Sequence, residues 1–196
     1  GSVGMASVTT NHLDELEISL GIVGPAALGE DIQRAVHKVV DGRDPQGWDY
    51  QIQNELGLVL SWQRSWPAYE TIQFSTYDMH LTPHLGLTLG NIYSYANFGG
   101  SVRFAPEDQS FQLNPVRVRP AIPGNGYFDL PSKGWGWYLF AGAEARLMGR
   151  NIFLDGNTFR DSPDVDKKYW VGDANAGLAM TYDDIRISYT LNYRTK

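Results

Sequence analysis

Trp135-Gly136-Trp137-Tyr138-Leu139-Phe140-Ala141-Gly142-Ala143-Glu144-Ala145-Arg146-Leu147 is the stretch that decides the fold. Trp135, Trp137, Leu139, Ala141, Ala143, Ala145 and Leu147 fall on one face of an extended chain. Gly136, Tyr138, Phe140, Gly142, Glu144 and Arg146 fall on the other. Side chains alternate across a β-strand, so this period of two reads as strand and not as helix.

The same pattern recurs in both directions. Tyr77, Met79, Leu81, Leu85, Leu87 and Leu89 oppose Thr76, Asp78, His80, Thr82, His84, Gly86 and Thr88, with Thr82-Pro83 as a potential break in parity. Leu16, Ile18, Leu20 and Ile22 oppose Glu15, Glu17, Ser19 and Gly21. Ile52, Leu56, Leu58, Leu60 and Trp62 oppose Gln51, Gln53, Glu55, Ser61 and Gln63. Ile185, Ile187, Tyr189, Leu191 and Tyr193 oppose Arg186, Ser188, Thr190, Asn192 and Arg194. Two weaker strands fit near 91–104 and 168–182. The start, Gly1 to Val8, also reads as strand, which predicts further sequence upstream. The total is about eight strands.

What fills the polar faces separates two all-β architectures. A soluble sandwich or lipocalin-like barrel turns its apolar face inward and carries Lys and Glu outside. Here the polar faces are Gly, Ser, Thr, Asn and Gln with a few charges of both signs. Several strands also exceed the usual five or six residues, and long tilted strands are what a bilayer demands. Lipid offers no partner to an open backbone edge, so such a sheet must close. The fold class is therefore all-β, an antiparallel transmembrane β-barrel with a short helix in one loop. Residues 1–196 form a single, incomplete barrel domain.

Composition agrees. Of 196 residues only 19% are charged, while 13% are aromatic, including 6 Trp and 11 Tyr. Few charges with many Trp and Tyr fit a surface that is partly lipid. No apolar run reaches the roughly 18 residues of a membrane helix. The net charge of −6 and the absence of a Lys/Arg cluster make nucleic acid an unsuitable partner. With no cysteine there is no disulfide and no thiolate metal site.

One segment leaves the β pattern. After Gly24-Pro25, Leu28, Ile32, Val36, Val39 and Val40 share a helical face, and Gly42 is a stop signal, predicting a helix over about 28–40 outside the barrel wall. It is either a loop ornament on the rim or one wall of a site at the barrel mouth. Two further loops, the Pro-rich 105–133 and 149–167, fall on opposite sides of the membrane by strand alternation.

Charges on the lumen face are Glu15, Glu17, Glu55, Asp78, His80, His84, Arg103, Glu144, Arg146, Asp173, Arg186 and Arg194. A small barrel fills its lumen with side chains, so most of these read as a salt-bridged interior. Asp78, His80 and His84 on one strand face also suit a metal or acid–base work. The stretch Gly47-Trp48-Asp49-Tyr50-Gln51-Ile52-Gln53-Asn54-Glu55 joins the helical loop to a strand. It brings Asp49, Gln51 and Glu55 to the rim near the helix that carries His37. Oxygen ligands there suit calcium, and a carboxylate near a histidine suits water activation; a polar strand start beside a solvated loop is the alternative. No phosphate-binding glycine loop, His-Glu-x-x-His or Gly-x-Ser-x-Gly is present, so any hydrolysis would use activated water.

Several strings, in order along nearly the whole chain, resemble one family. They are Gly21-Ile22-Val23-Gly24-Pro25 with Gly29-Glu30, Gln33 and His37; Gly47-Trp48-Asp49 with Gln51 and Asn54-Glu55; Leu89-Gly90-Asn91-Ile92-Tyr93; and Asn151-Ile152-Phe153-Leu154-Asp155-Gly156-Asn157-Thr158-Phe159. Together they are similar to the lipid A 3′-O-deacylase family of outer-membrane β-barrels. The resemblance implies a twelve-stranded barrel in the bacterial outer membrane, with lipid A of lipopolysaccharide as substrate. It implies calcium-dependent hydrolysis of the 3′-acyloxyacyl ester at a site beside a helical loop, with histidine activating water. Glu55 matches the family's site glutamate and is expected as calcium ligand. Asp49 and Gln51 are expected to position, and His37 to act as general base. Two departures stand out. The family's first strand carries an Asn-Asp pair that this chain lacks, and its histidine, expected a few residues before the glutamate, is replaced by the Asp49-Tyr50 stretch, so that either His37 or His84 substitutes for it or the chain is not a deacylase in the usual sense. The chain alone is therefore expected to be inactive. A non-catalytic structural or passive-diffusion barrel is the competing expectation, and a soluble β-barrel binder a third.

Overall fold

A computed structural model describes residues 1–107, 134–183 and 185–195. Its described residues form one antiparallel sheet of nine strands. These are β1 (Ser2–Val8), β2 (Leu13–Val23), β3 (Glu55–Ser65), β4 (Glu70–Phe74), β5 (Tyr77–Gly90), β6 (Tyr93–Pro106), β7 (Trp135–Asn151), β8 (Trp170–Tyr182) and β9 (Ile185–Arg194). The spatial order is β1-β2-β3-β5-β6-β7-β8-β9, with β4 paired to β5 alone, and the sheet is open between β1 and β9.

The count corrects the expected eight. β4 is the strand missed: all five of its residues are exposed, and its Ile72 and Phe74 are too few to give a period. The third strand also starts at Glu55 and not near Gln51, because Trp48–Tyr50 is a 3-10 turn. Thr82-Pro83 does not break β5. Pro83 pairs with Gly100 of β6, and its carbonyl accepts from the Trp66 N–H where β3 gives way to β4. A proline is tolerated at such an interruption because no ladder bond needs its missing N–H. Parity therefore holds along all of β5.

Burial inverts the order of a soluble protein. Glu17, Ser61, His84, Thr88, Asn97, Arg103, Glu144 and Arg146 are buried, whereas Leu20, Leu58, Leu87, Phe98, Leu139 and Leu147 are exposed. Among the described residues no second layer covers the polar face, so the sheet itself must curl around it. The enclosed charges pair across strands as the lumen of a small barrel requires. Glu144 receives His84 Nε2 at 2.9 Å and Asn97 Nδ2 at 3.2 Å, and lies 3.0 Å from the Arg146 guanidinium. Arg146 and Arg194 both pair with Asp173. The Arg103 guanidinium lies 4.7 Å over the Tyr138 ring. Asp78, His80 and His84 do not converge: His80 bonds Thr71 while His84 bonds Glu144.

The lipid-type face carries aromatic residues at one end. Tyr77 stacks on Phe104 at 5.1 Å, Phe104 meets Trp137 at 6.4 Å, and Trp135 meets Tyr182 at 5.0 Å. At the other end, Trp170 stands beside Leu147. Trp and Tyr favour the boundary between hydrocarbon and headgroups, where an apolar ring and a polar edge are both satisfied. No helix among the described residues is long and apolar enough to cross a membrane, which says nothing of crossing by strands.

Strand alternation sorts the connections. The β2–β3 loop (24–54), the β5–β6 turn (Asn91–Ile92) and the β7–β8 loop (152–169) meet at one end of the sheet. β6 ends and β7 begins at the other; the Pro-rich residues 108–133 between them are outside the described residues. The predicted helix is α1 (Gly29–Val39), one residue shorter at each end than expected. Leu28 is its N-cap, held in a left-handed conformation, φ 59°.

Candidate functional site

The loop end is organised around one carboxylate. Glu55 opens β3 opposite Val23 of β2 and is only 8% exposed. Asn91 Nδ2 donates to its Oε1 at 2.8 Å. The Thr158 N–H and Asn157 Nδ2 donate to its Oε2 at 2.7 and 3.1 Å. Three segments distant in sequence thus meet on one side chain. A carboxylate that accepts three N–H bonds replaces most of the hydration it gives up, which is how a buried charge is tolerated.

Each donor is itself held. Asn91 Oδ1 accepts from the Leu58 N–H at 2.8 Å, which locks the β5–β6 turn to β3. Asn157 forms a two-way bridge with the Gln53 backbone, at 2.8 and 2.9 Å. Arg150 donates to the Asn91 carbonyl at 2.8 Å, the Gly156 carbonyl at 2.9 Å and Thr158 Oγ1 at 2.8 Å. The β7–β8 loop opens with a single helical turn, α2 (Ile152–Asp155), capped by the Asn151 side chain on the Phe153 N–H. Lys167 returns to Asp155 at 2.6 Å and to the Gly149 carbonyl at 2.7 Å, closing the loop. Burial raises the Asp155 carboxyl, but the Lys167 ammonium, the Asn151 N–H and the nearby Arg150 outweigh it and hold the group below its ordinary 3.8.

Beside this knot lies an apolar cavity of about 570 Å³. Ile22, Val23 and Ile52 form its sheet side, Trp48 its loop side, and Phe153 and Leu154 of α2 its far side. Gly24 makes the passage over the sheet end possible. Its φ is 89°, and a Cβ there would lie 2.6 Å from the Gln53 carbonyl carbon. Ala26 N–H then bonds Asn54 Oδ1 at 2.7 Å and fixes the loop's entry.

The expected site residues separate. Glu55 is the hub, and Gln51 lines the cavity. Asp49 is exposed on the 3-10 turn between Trp48 and Tyr50, both of which line the cavity. His37 turns back onto its own loop: Nδ1 meets the Arg43 carbonyl, and its ring packs near Gly42. Among the described residues no bond joins His37 to Glu55. The donors at Glu55 do not fit calcium. They are N–H groups where the ion wants six to eight oxygens, and no three His, Asp or Glu side chains converge among the described residues. Sequence reasoning quoted Asn91, Asn157 and Thr158 but gave them no role. Their signal was an amide or hydroxyl residue at the point where strand gives way to loop.

A family model described as Outer membrane protein LpxR matches residues 1–196. No curated protein matches the chain. Among solved structures, LpxR from Salmonella typhimurium superposes with a TM-score of 0.77 at 22% identity. The match covers 98% of this chain and 64% of that one, so the chain spans about two thirds of that protein's length.

Proposed function

The chain belongs to the LpxR family of outer-membrane proteins, and from that premise we propose that the whole protein is a lipid A deacylase-like enzyme of the outer membrane. Its reaction is hydrolysis of the 3′-acyloxyacyl ester. The observation that carries this reading is a buried carboxylate, Glu55, beside an apolar cavity of about 570 Å³ at the loop end of the sheet. Such a cavity suits an acyl chain, since its sheet side, loop side and helical turn are lined by Ile22, Val23, Trp48, Ile52, Phe153 and Leu154.

In the hydrolysis a water oxygen adds to the ester carbonyl carbon while a base takes its proton. The tetrahedral intermediate then expels the alkoxide, which leaves protonated, and the fatty acid is released. Glu55 acts by holding the rim: through Asn157 and Thr158 it ties the β7–β8 loop beside the cavity to the start of β3, and through Asn91 it adds the β5–β6 turn. His37 is the proposed base. With Nδ1 engaged by the Arg43 carbonyl, Nε2 is left to accept a proton, and the helical loop must move to bring it to an ester. Asp49 and Gln51 are proposed to position the substrate from the cavity edge. Calcium rests on the family resemblance alone.

A second reading has its own support. The Glu55 carboxylate is fully occupied by structural donors, and Asp49-Tyr50 stand where the family histidine is expected, both of which favour a barrel that kept the fold without the reaction. Mass spectrometry of lipid A exposed to the full-length protein separates the two. Loss of the 3′ chain, abolished by Glu55→Ala and by His37→Ala, is the expected outcome. Deacylation that survives Glu55→Ala overturns the assignment. Channel conductance in a planar bilayer with lipid A left intact favours the non-catalytic barrel.

A further inference from the structure

The helix α1 carries an apolar face that nothing among the described residues covers. Ile32 is 62% exposed, Val36 53% and Val39 86%, and no residue of the helix is buried. At 100° per residue, Leu28, Ile32, Ala35, Val36 and Val39 fall within one stripe about 100° wide. Glu30, Gln33, Arg34, His37 and Lys38 fill the opposite side. The contacts that tie α1 down leave the stripe untouched. Trp48 packs on Gly29, His37 meets the Arg43 carbonyl, and Arg34 pairs with Glu30 at 2.7 Å on the helix surface.

An exposed stripe of this kind on a folded protein needs an occupant. The wall beside it says which. The outward face of β2 and β3 is apolar to its last rungs: Leu20, Ile22, Leu56 and Leu58 are all exposed. Ile22 pairs with Leu56 one rung from the end of both strands, and α1 begins six residues after Val23, beyond a short 3-10 turn. The stripe therefore starts where the lipid-facing wall stops. Helices lying in the plane of a membrane share this form: a strong apolar face, low overall hydrophobicity and charged residues on the other side. The two acidic and two basic residues of α1 balance, so apolar burial and not surface charge must hold it.

We propose that α1 is an interfacial helix that seats Leu28, Ile32, Val36 and Val39 in the lipid leaflet at the rim of the sheet. The continuous surface is then wall, rim and helix, and the cavity behind Trp48 opens between two lipid-contacting elements. This inference rests on outer-membrane residence and not on catalysis, so it stands or falls apart from the deacylase reading.

Residues 1–196 hold no cysteine, so with any cysteine elsewhere replaced one introduced thiol carries one label. A polarity-sensitive fluorophore is placed by Ile32→Cys and, separately, by Val36→Cys, in the protein reconstituted into phosphatidylcholine vesicles with and without brominated acyl chains. Leu58→Cys on the wall and Gln33→Cys on the polar helix face are the references. Quenching at 32 and 36 close to that at 58, and about twofold or more above that at 33, is the expected result. Quenching at both positions no greater than at 33 overturns the proposal. So does a label shielded from both brominated lipid and aqueous iodide, which would mean that protein, in this copy or a second, covers the stripe. Two label sites guard against one variant failing to fold.

Discussion

Glu55 is one side chain on which three loops depend. Its removal leaves three donors, from Asn91, Asn157 and Thr158, without their acceptor. Thr158 is exposed and Asn91 and Asn157 are half-buried, so water replaces part of what is lost, and Glu55→Ala is expected to destabilise by about 1–3 kcal/mol, read as a lowered thermal midpoint by circular dichroism in detergent. Glu55→Gln retains one carbonyl acceptor and is expected to recover about half of the loss. An unchanged midpoint for Glu55→Ala would show that the knot is not what holds the loops. A contrasting residue is Ala68, held at φ 47° in the turn between β3 and β4. That conformation costs a side chain roughly 1–2 kcal/mol, part of which glycine returns as unfolded-state entropy. Ala68→Gly is expected to raise stability by about 0.5–1 kcal/mol in urea unfolding.

At the scale of elements, the β7–β8 loop is closed by the Lys167–Asp155 pair. Asp155 titrates below its ordinary 3.8 when folded, so the pair's contribution is present above about pH 4. It is lost as pH falls further, through the folded value. Amide hydrogen exchange in 152–169 is expected to accelerate below pH 4 beyond the intrinsic trend, and Asp155→Asn to remove that extra dependence. Elements were also where the sequence was most and least legible. The long strands are readable because each carries four or more outward apolar residues; β4 offers Ile72 and Phe74 and is not. The helix was readable from the spacing of Leu28, Ile32 and Val36. The knot was not, because Asn91 and Asn157 reach Glu55 across 36 and 102 positions, and no local pattern encodes such a meeting. Sequence proximity within one loop region suggests His37 near Glu55, but its ring bonds the loop's own Arg43 carbonyl.

For the whole molecule the governing fact is the inverted surface. An Arg on the outward face of mid-wall must enter hydrocarbon at a cost of about 2–4 kcal/mol near the midplane. Leu81, exposed on β5 and joined through Val102 of β6 to Ala141 near the middle of β7, is such a position. Leu81→Arg is expected to lower unfolding stability by about that amount in vesicles and by clearly less in a loose detergent micelle. Equal losses in both would argue that the face does not meet lipid. The same surface disfavours a soluble binder, which would bury these leucines.

The aromatic rungs have a metric consequence. From Trp137 to Leu147, level with Trp170, β7 runs ten residues, roughly 34 Å of extended chain. Tilted as barrel strands are, by about 40°, that length rises roughly 26 Å, the height of an outer-membrane hydrocarbon band. The wall thus works as a depth gauge. Arg150 lies three residues past the upper mark, and with it the Asn91–Glu55 knot, so the cavity stands just beyond the apolar band. For the hydrolysis proposed above, membrane thickness, and not only the chemistry of the rim, would then set which bond of a lipid comes within reach.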